Sequence, residues 1–516
     1  MSTPSDWDDS LTTPPEGAVE ASTAAGNDTA DATSDTGPAV GQDEWVARHG
    51  ERRSRRAGIL GTLEERLAVV PWWAWLTLFV AVICLLPVGF ESGYIRRVAF
   101  DTVVFMLLAL GLNIVVGWGG LLDLGFIAFY GVGAYTYALL SSGQFDIHLP
   151  TLLVIPVVAI VGGIVGWLVG LPSRRLTGDY LAIVTLFFFQ VFLTVSNNGD
   201  DIGGESITNG PNGILDVDEF SFFGWDLPRS TVDGLFSVTY LYVALVFFVV
   251  VYVALRLLNE SRTGRAWRSL REDPLAAELM GMPVNRLKLM AFSFGAAVAA
   301  LTGTFATALN GSVFPQNFEF PLLITVYTMV ILGGAGSQAG VVLGAVIVSV
   351  LLEALRDAND ARGFFYVVIV LALLAAFRAS PKLAIVLGGT VVFGLVARLV
   401  AGGIDDAWTV GPVDDEGGRL AEWAAEWVIV PARLDGWVPP AAYIGLVALV
   451  LGLTLVRGWL RIGLLVPTLY LGAFVWENVL LSQPESTRYI VIGALLVAMM
   501  VARPEGLLGE KRVQIV

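Results

Sequence analysis

Residues able to do covalent or metal chemistry are scarce in this chain. One Cys, Cys84, and two His, His49 and His148, are spread over 516 residues. That excludes a disulfide framework, a Cys-rich metal site and any Ser/His/Asp or Cys/His set. No G-x-x-x-x-G-K-[ST] run occurs, so the chain carries no ATP-binding loop of its own. The Gly334-Ala335-Gly336 run misses the spacing of a dinucleotide fingerprint. Paired-carboxylate chemistry inside a membrane needs two Asp on facing spans. Asp101 and Asp123 lie near span ends, where Asp caps a helix or meets water. The expectation is a chain that is no enzyme and takes no cofactor and no metal.

Two stretches have spacing with mechanical meaning. In Ser261–Gly281, Asp273 suits an N-cap, Pro274 the first helical position and Gly281 the position just past the end. This predicts a short helix over 274–280, preceded by Arg262, Arg265 and Arg268 at every third residue. A capped helix between two spans is a rigid knob that a cytosolic protein can push; a solvated connecting loop is the plainer reading. In Asn113–Gly125, the glycines Gly117, Gly119, Gly120 and Gly125 permit an unwound backbone, and Asn113 and Asp123 supply polar groups to line a path. A plain bend is the alternative there.

The elements that position these stretches follow from composition. Hydrophobic residues make up 55% and charged residues 15%, against about 25% charge in soluble domains. Mean hydropathy is +0.70. The chain reads as an all-α, polytopic integral membrane protein. Its net charge of −15 argues against a nucleic-acid partner. Ten acids and one base, Arg48, fall in residues 1–50, so 1–66 is expected to be a disordered acidic tail ending in a basic juxtamembrane cluster, Arg52, Arg53, Arg55 and Arg56. It lacks the features of a signal peptide.

Fourteen apolar segments are candidate spans: 72–90, 98–116, 121–141, 151–171, 180–196, 235–257, 288–310, 321–335, 338–356, 361–377, 383–400, 441–457, 461–478 and 487–503. Those at 321–335 and 361–377 are short. Trp72, Trp73 and Trp75 open the first as an interfacial anchor. With the N-terminus inside, the basic loops at 174–175, 256–288, 378–382, 457–461 and 503–512 all fall on the cytoplasmic side. The acidic loops 197–234 and 402–440 fall outside; Arg96 and Arg97 are the exception. Both termini are expected in the cytoplasm.

The Ala276-Ala277-x-x-x-Gly281 spacing resembles the coupling loop of ABC importer permeases, with Leu275 where the wider pattern has Glu. Gly111–Gly125 continuing to Tyr137, Arg175–Leu186, Thr208–Ile214, Leu332–Ser337 and Arg503–Gly509 resemble the LivM-type permease of branched-chain amino acid importers. The resemblance covers about 72–356 and 487–509. It implies a multi-pass permease of the cell membrane, with no ATP site, that carries leucine, isoleucine or valine into the cytoplasm. Its partners would be a LivH-type second permease, two cytosolic LivG/LivF-type ATPase subunits and an extracytoplasmic substrate-binding protein, all set in membrane lipid. Arg268, Glu272, Ala276, Ala277 and Gly281 would contact the ATPase, and Asn113, Gly117, Gly119, Gly120, Asp123 and Gly125 would line the path. Urea or short-amide importers use similar permeases. A stand-alone secondary transporter would need coupling carboxylates in mid-span, and a membrane scaffold would need neither stretch.

The sequence departs from that family between 358 and 486. The Arg-Pro-x-Gly ending expected soon after Leu352–Arg356 is delayed by some four spans, and 361–380 looks like a weak copy of 488–505. The expected organisation is a tail (1–66), a permease core (67–357), an inserted transmembrane segment with an external loop (358–486), and a last core helix with a cytoplasmic tail (487–516), giving about 10 core and about 4 inserted helices. An interfacial amphipathic helix is expected near 417–430. Gly162, Gly166 and Gly170 repeat at the four-residue spacing of close helix approach, within one subunit or between two.

Overall fold

Apolar runs in lipid leave the backbone no partner but itself, so they must close their own hydrogen bonds as helices. A helix stands at every one of the fourteen apolar segments. They are α1 Trp72–Gly89, α2 Gly93–Leu112, α3 Phe126–Leu140, α4 Thr151–Gly170, α5 Asp179–Asn197 and α6 Val238–Glu260, then α9 Val284–Asn310, α10 Phe320–Gly333, α11 Gln338–Ala354, α12 Ala358–Phe377, α13 Pro381–Ile404, α14 Val438–Leu455, α15 Trp459–Val475 and α16 Pro484–Ala502. Between α6 and α9 lie two further helices, α7 Arg262–Glu272 and α8 Pro274–Leu279. Among the described residues, eight helices are long and apolar enough to cross a membrane, and four further apolar helices are shorter.

The computed structural model describes residues 71–89, 93–174, 178–200, 206–222, 225–230, 237–377, 380–404, 408–409, 423–424, 426–431, 436–481 and 483–509. The expected acidic tail with its basic cluster lies outside these, as do 405–407, 410–422, 425 and 432–435 of the 402–440 loop. In the described part of the helix expected near 417–430, Trp427 and Val428 are buried with Tyr470 and Ala473. The chain divides into two units, residues 1–78 and 79–516. The described part of the first is Pro71 and the opening turns of α1, with Trp72, Trp73 and Trp75 exposed.

In the second unit α9, 27 residues long, is the central strut and packs on α2, α3 and α4. The glycine repeat of α4 is used there. Gly162, Gly166 and Gly170 are buried, and a Cβ on Gly166 would stand 2.6 Å from the Phe292 carbonyl oxygen of α9. The repeat serves packing inside this chain. α10 and α11 pack on each other, joined by the Gly334–Ser337 turn in which Gly334 and Gly336 have φ of 107° and 97°. α16 packs on α10, and the turn after it is stitched to the same place: Leu507 N–H donates to Leu332 O (2.9 Å) and Leu508 N–H to Gly333 O (3.0 Å).

At the other end of α9 a small cap is knitted from short strands, β1 Ser141–Ser142 antiparallel to β2 Ile147–His148 and β3 Ser221–Phe222 antiparallel to β4 Trp225–Asp226. Bridges Ser142–Val217 and Ile214–Val313 tie the loops together.

The segment between α11 and α16 joins the rest through α12 and the end of α15. Trp476 is buried with Leu351, Leu355 and Ala361, and its ring stacks on Phe365 at 4.3 Å. Glu477 is 4% exposed and receives Arg362 Nε at 2.9 Å and the Tyr366 hydroxyl at 3.0 Å. By contrast, α14 buries no residue of its own.

Candidate functional site

The site has two parts, a surface knob at one end of the bundle and a break in the helix beside it. The knob is α8. Asp273 caps it as expected: its Oδ1 accepts from Leu275 N–H (2.9 Å) and Ala276 N–H (3.0 Å). Gly281 ends it with φ +80°, a conformation that only Gly adopts without strain. Leu275 is 67%, Leu279 80% and Met280 80% exposed. Large apolar side chains this open on a short helix mark a surface built to be covered.

Ala276, Glu272, Arg268 and Gly281 are exposed with them. Ala277 is not. It is buried and seats α8 on the protein, so of the expected contact residues it is the one turned inward. The physical reason is the turn itself, which puts 275 and 279 on one face and 277 on the opposite one.

The helix before it, α7, went unanticipated except as a basic run. Ser261 caps it, and its faces alternate: Gly264, Trp267 and Leu270 are buried, while Arg262, Arg265 and Arg268 form an exposed basic stripe. The apolar spacing at 264, 267 and 270 was the available signal.

The break lies between α2 and α3. α2 loosens into a π-helical stretch, Asn113–Trp118, capped by Gly119, and residues 120–125 leave the helix, with Gly120 at φ +66°. The expected unwound backbone is therefore present. Asn113 is fully buried and its Oδ1 accepts from Gly336 N–H at 2.8 Å, while Trp118 Nε1 donates to Gly336 O at 3.0 Å. One residue of the α10–α11 turn is thus held from both sides by the break.

Asp123, also fully buried, accepts Gly125 N–H at 2.9 Å; its backbone N–H and C=O both bond the Tyr327 hydroxyl, at 3.1 and 2.7 Å. Gly117 and Gly125 are needed for close approach: a Cβ on Gly117 would stand 2.6 Å from Gly336 N, and one on Gly125 3.0 Å from the Thr185 carbonyl carbon. Gly119 and Gly120 border a cavity of about 180 Å³ that Arg271, Pro274 and Lys288 also line. Of the six residues expected along the path, these two border a cavity, though Gly119 is buried against Val115 and Ala291 and Gly120 lies under Arg271; Asn113, Gly117, Asp123 and Gly125 hold the shape of the break.

Knob and break are joined by side chains that spacing alone did not single out. Trp267 of α7 is fully buried, stacks on Trp118 at 6.1 Å, and donates Nε1–H to Leu287 O at 2.8 Å. Arg271 Nη1 donates to Ala335 O at 3.3 Å, and the Arg271 stem lies over Gly120, 3.1 Å from where a Cβ would be. Contacts run from α8 to α7 through Asp273, and from α7 to Trp118 and the Gly334–Ser337 turn through Trp267 and Arg271.

The family described as branched-chain amino acid transport system / permease component matches residues 94–377, more than half of the chain. The chain belongs to this family. Among permeases of this kind it is 39% identical over 279 residues to the high-affinity branched-chain amino acid transport system permease protein LivM of Salmonella typhimurium, covering 51% of this chain and 64% of that one. It is 36% identical over 302 residues to LivM of Escherichia coli, covering 55% and 69%. It is 25% identical over 266 residues to the permease protein LivH of Salmonella typhimurium, covering 49% and 82%. No solved structure matches. The chain is a multi-pass membrane protein of this family and spans just under two thirds of the length of the Salmonella LivM, and the family match ends at residue 377, inside the last turn of α12.

Proposed function

We propose that the chain is one of two permease subunits of an ATP-driven ABC importer that brings leucine, isoleucine and valine into the cytoplasm. The observation that carries this reading is the exposed apolar face of α8, Leu275, Leu279 and Met280, seated through Ala277 and linked to the helix break by Trp267–Trp118. A pair of cytosolic ATPase subunits would cover that face. The other permease would be LivH-like, and an extracytoplasmic binding protein would deliver the solute to the opposite end. Closure of the ATPases on ATP would tilt α7 and α8 and, through Gly336, move the α10–α11 turn against the break. The buried Asn113 Nδ2 has no partner among the described residues. An unpaired buried donor costs about 1–3 kcal/mol, which supports a break that changes partners during the cycle.

The same reading puts α7, α8 and both termini in the cytoplasm and treats 358–486 as an insertion into a core that α16 completes. The stitching of Leu507 and Leu508 to Leu332 and Gly333 supports the second point. The test is uptake in the native host. Loss of the chain should abolish binding-protein-dependent uptake of radiolabelled leucine, isoleucine and valine and leave urea uptake unchanged. The reverse pattern would overturn the substrate, and unchanged uptake of all four would overturn the importer reading.

A further inference from the structure

A second cavity, of about 300 Å³, lies at the end of the bundle remote from α8. Arg97 stands in the first turns of α2, Asn310 is the last residue of α9 and Glu353 is near the end of α11. α7 and α8 precede the start of α9, about 40 Å away at the helical rise of 1.5 Å per residue. At about 30 Å³ per water, the cavity is roughly ten waters in size, right for a small metabolite and too small for a peptide.

Its lining has both signs of charge. Arg97 donates Nε–H to Asp101 Oδ2 at 3.1 Å and Nη2–H to Asn310 Oδ1 at 2.7 Å. A guanidinium carries five donors in a planar fork suited to a carboxylate, so donors remain. Asp101 is itself half-exposed. Glu353 is engaged through Oε1 alone, by the Tyr94 hydroxyl and by Arg356 Nη1 at 3.3 Å. The Ser349 hydroxyl, in the same wall, is buried without a hydrogen-bond partner among the described residues. The remaining wall is apolar, with Phe105, Leu108 and Leu322.

We propose that this cavity is a solute site for a zwitterionic α-amino acid with an apolar side chain. Its carboxylate meets Arg97, its ammonium meets the Asp101 and Glu353 carboxylates, and its side chain lies on Phe105, Leu108 and Leu322. Urea or a sugar carries no charge and gains no charge-assisted contact from the remaining Arg97 donors or the second Glu353 oxygen. An amine without a carboxylate would leave those Arg97 donors unused, and a carboxylate without an amine would meet two like charges. The inference rests on the import reading above and places part of the substrate selection in the permease itself.

The test uses the full chain in lipid nanodiscs with tritiated L-leucine as probe. Unlabelled leucine should compete, while isoamylamine, 4-methylpentanoate, urea and ribose should each compete at least ten-fold more weakly. Arg97→Gln should weaken leucine binding at least ten-fold. Because Arg97 also ties Asp101 to Asn310, a second variant, Ala306→Phe, fills the cavity with every charge retained and should have the same effect, both variants being checked for monodispersity by size exclusion. Equal competition by isoamylamine, or leucine binding unchanged in Ala306→Phe, overturns the site. Normal leucine uptake by cells carrying either variant overturns it too, while leaving the permease assignment standing. Absence of leucine uptake with the wild-type chain and its partners would instead overturn the import reading.

Discussion

The indole of Trp267 lies on the indole of Trp118, ring centres 6.1 Å apart and planes 20° apart, and each ring nitrogen donates to a backbone carbonyl, Leu287 O and Gly336 O respectively. This pair joins the surface helix α7 to the helix break, and on the proposed function it would carry motion between them. Trp267→Ala removes a fully buried ring, which costs about 3–5 kcal/mol, and should lower thermal stability. Trp267→Phe keeps most of the packing and loses one hydrogen bond, about 1 kcal/mol. The expected outcome is a protein that stays assembled but transports less per ATP hydrolysed, measured in a reconstituted complex. Unchanged coupling in Trp267→Phe and Trp118→Phe together would show that the joint transmits nothing.

Surface and seat of α8 should separate cleanly. Leu279→Asp and Met280→Asp change side chains that are each 80% exposed, so the unfolding midpoint of the isolated chain should not move while co-purification of ATPase subunits is lost. Ala277→Arg forces a long charged side chain into a buried position and should lower the midpoint as well. Thermal scans read alongside pull-downs check this; loss of the ATPase only in Ala277→Arg would move the contact to the other face.

How much of this was legible beforehand depended on what each feature is made of. Spans are a matter of composition over about 20 residues, so a helix stands at every apolar segment. The α8 caps, Asp273 and Gly281, are local and were readable as such. Ala277's burial was not, because which face of a six-residue helix turns inward is set by residues outside it. The clasp of Gly336 by Asn113 and Trp118 joins residues more than 200 positions apart, and no periodicity in one sequence encodes that pairing. The basic stripe of α7 was visible, but its meaning as the wet side of an amphipathic helix needed the buried Trp267 to be weighed with it.

The segment between α11 and α16 should be held by its buried ion pair. Arg362→Met leaves the Glu477 carboxylate, 4% exposed, without its cation, a loss of about 3–5 kcal/mol for a buried pair broken on one side. Arg362→Met with Glu477→Leu removes both charges and should recover most of that. Unfolding midpoints of the two variants in detergent check the order; a double variant less stable than the single one would contradict it.

On the capped end, His148 Nδ1 lies 2.7 Å from Asp218 Oδ2, with Asp146 at 3.9 Å. The hydrogen bond and charge of Asp218 raise the imidazole pKa above its usual 6.5. The pair's contribution is therefore complete below about pH 6.5 and is lost as pH rises through the raised folded value. The stability gap between wild type and His148→Gln should be widest near pH 6 and close toward pH 9. A gap that widens with alkalinity would contradict the pairing.

The central claim is that a push on α8 by cytosolic ATPases drives amino acid import through this chain. The most direct measurement is ATP-dependent accumulation of tritiated leucine in proteoliposomes holding the chain with its partner permease, ATPase subunits and binding protein, compared with the same complex carrying Leu279→Asp and with the chain alone under a sodium or proton gradient. The account predicts accumulation in the complete complex, none with Leu279→Asp and none with the chain alone. Gradient-driven accumulation by the chain alone, or full ATP-driven uptake with Leu279→Asp, would contradict it.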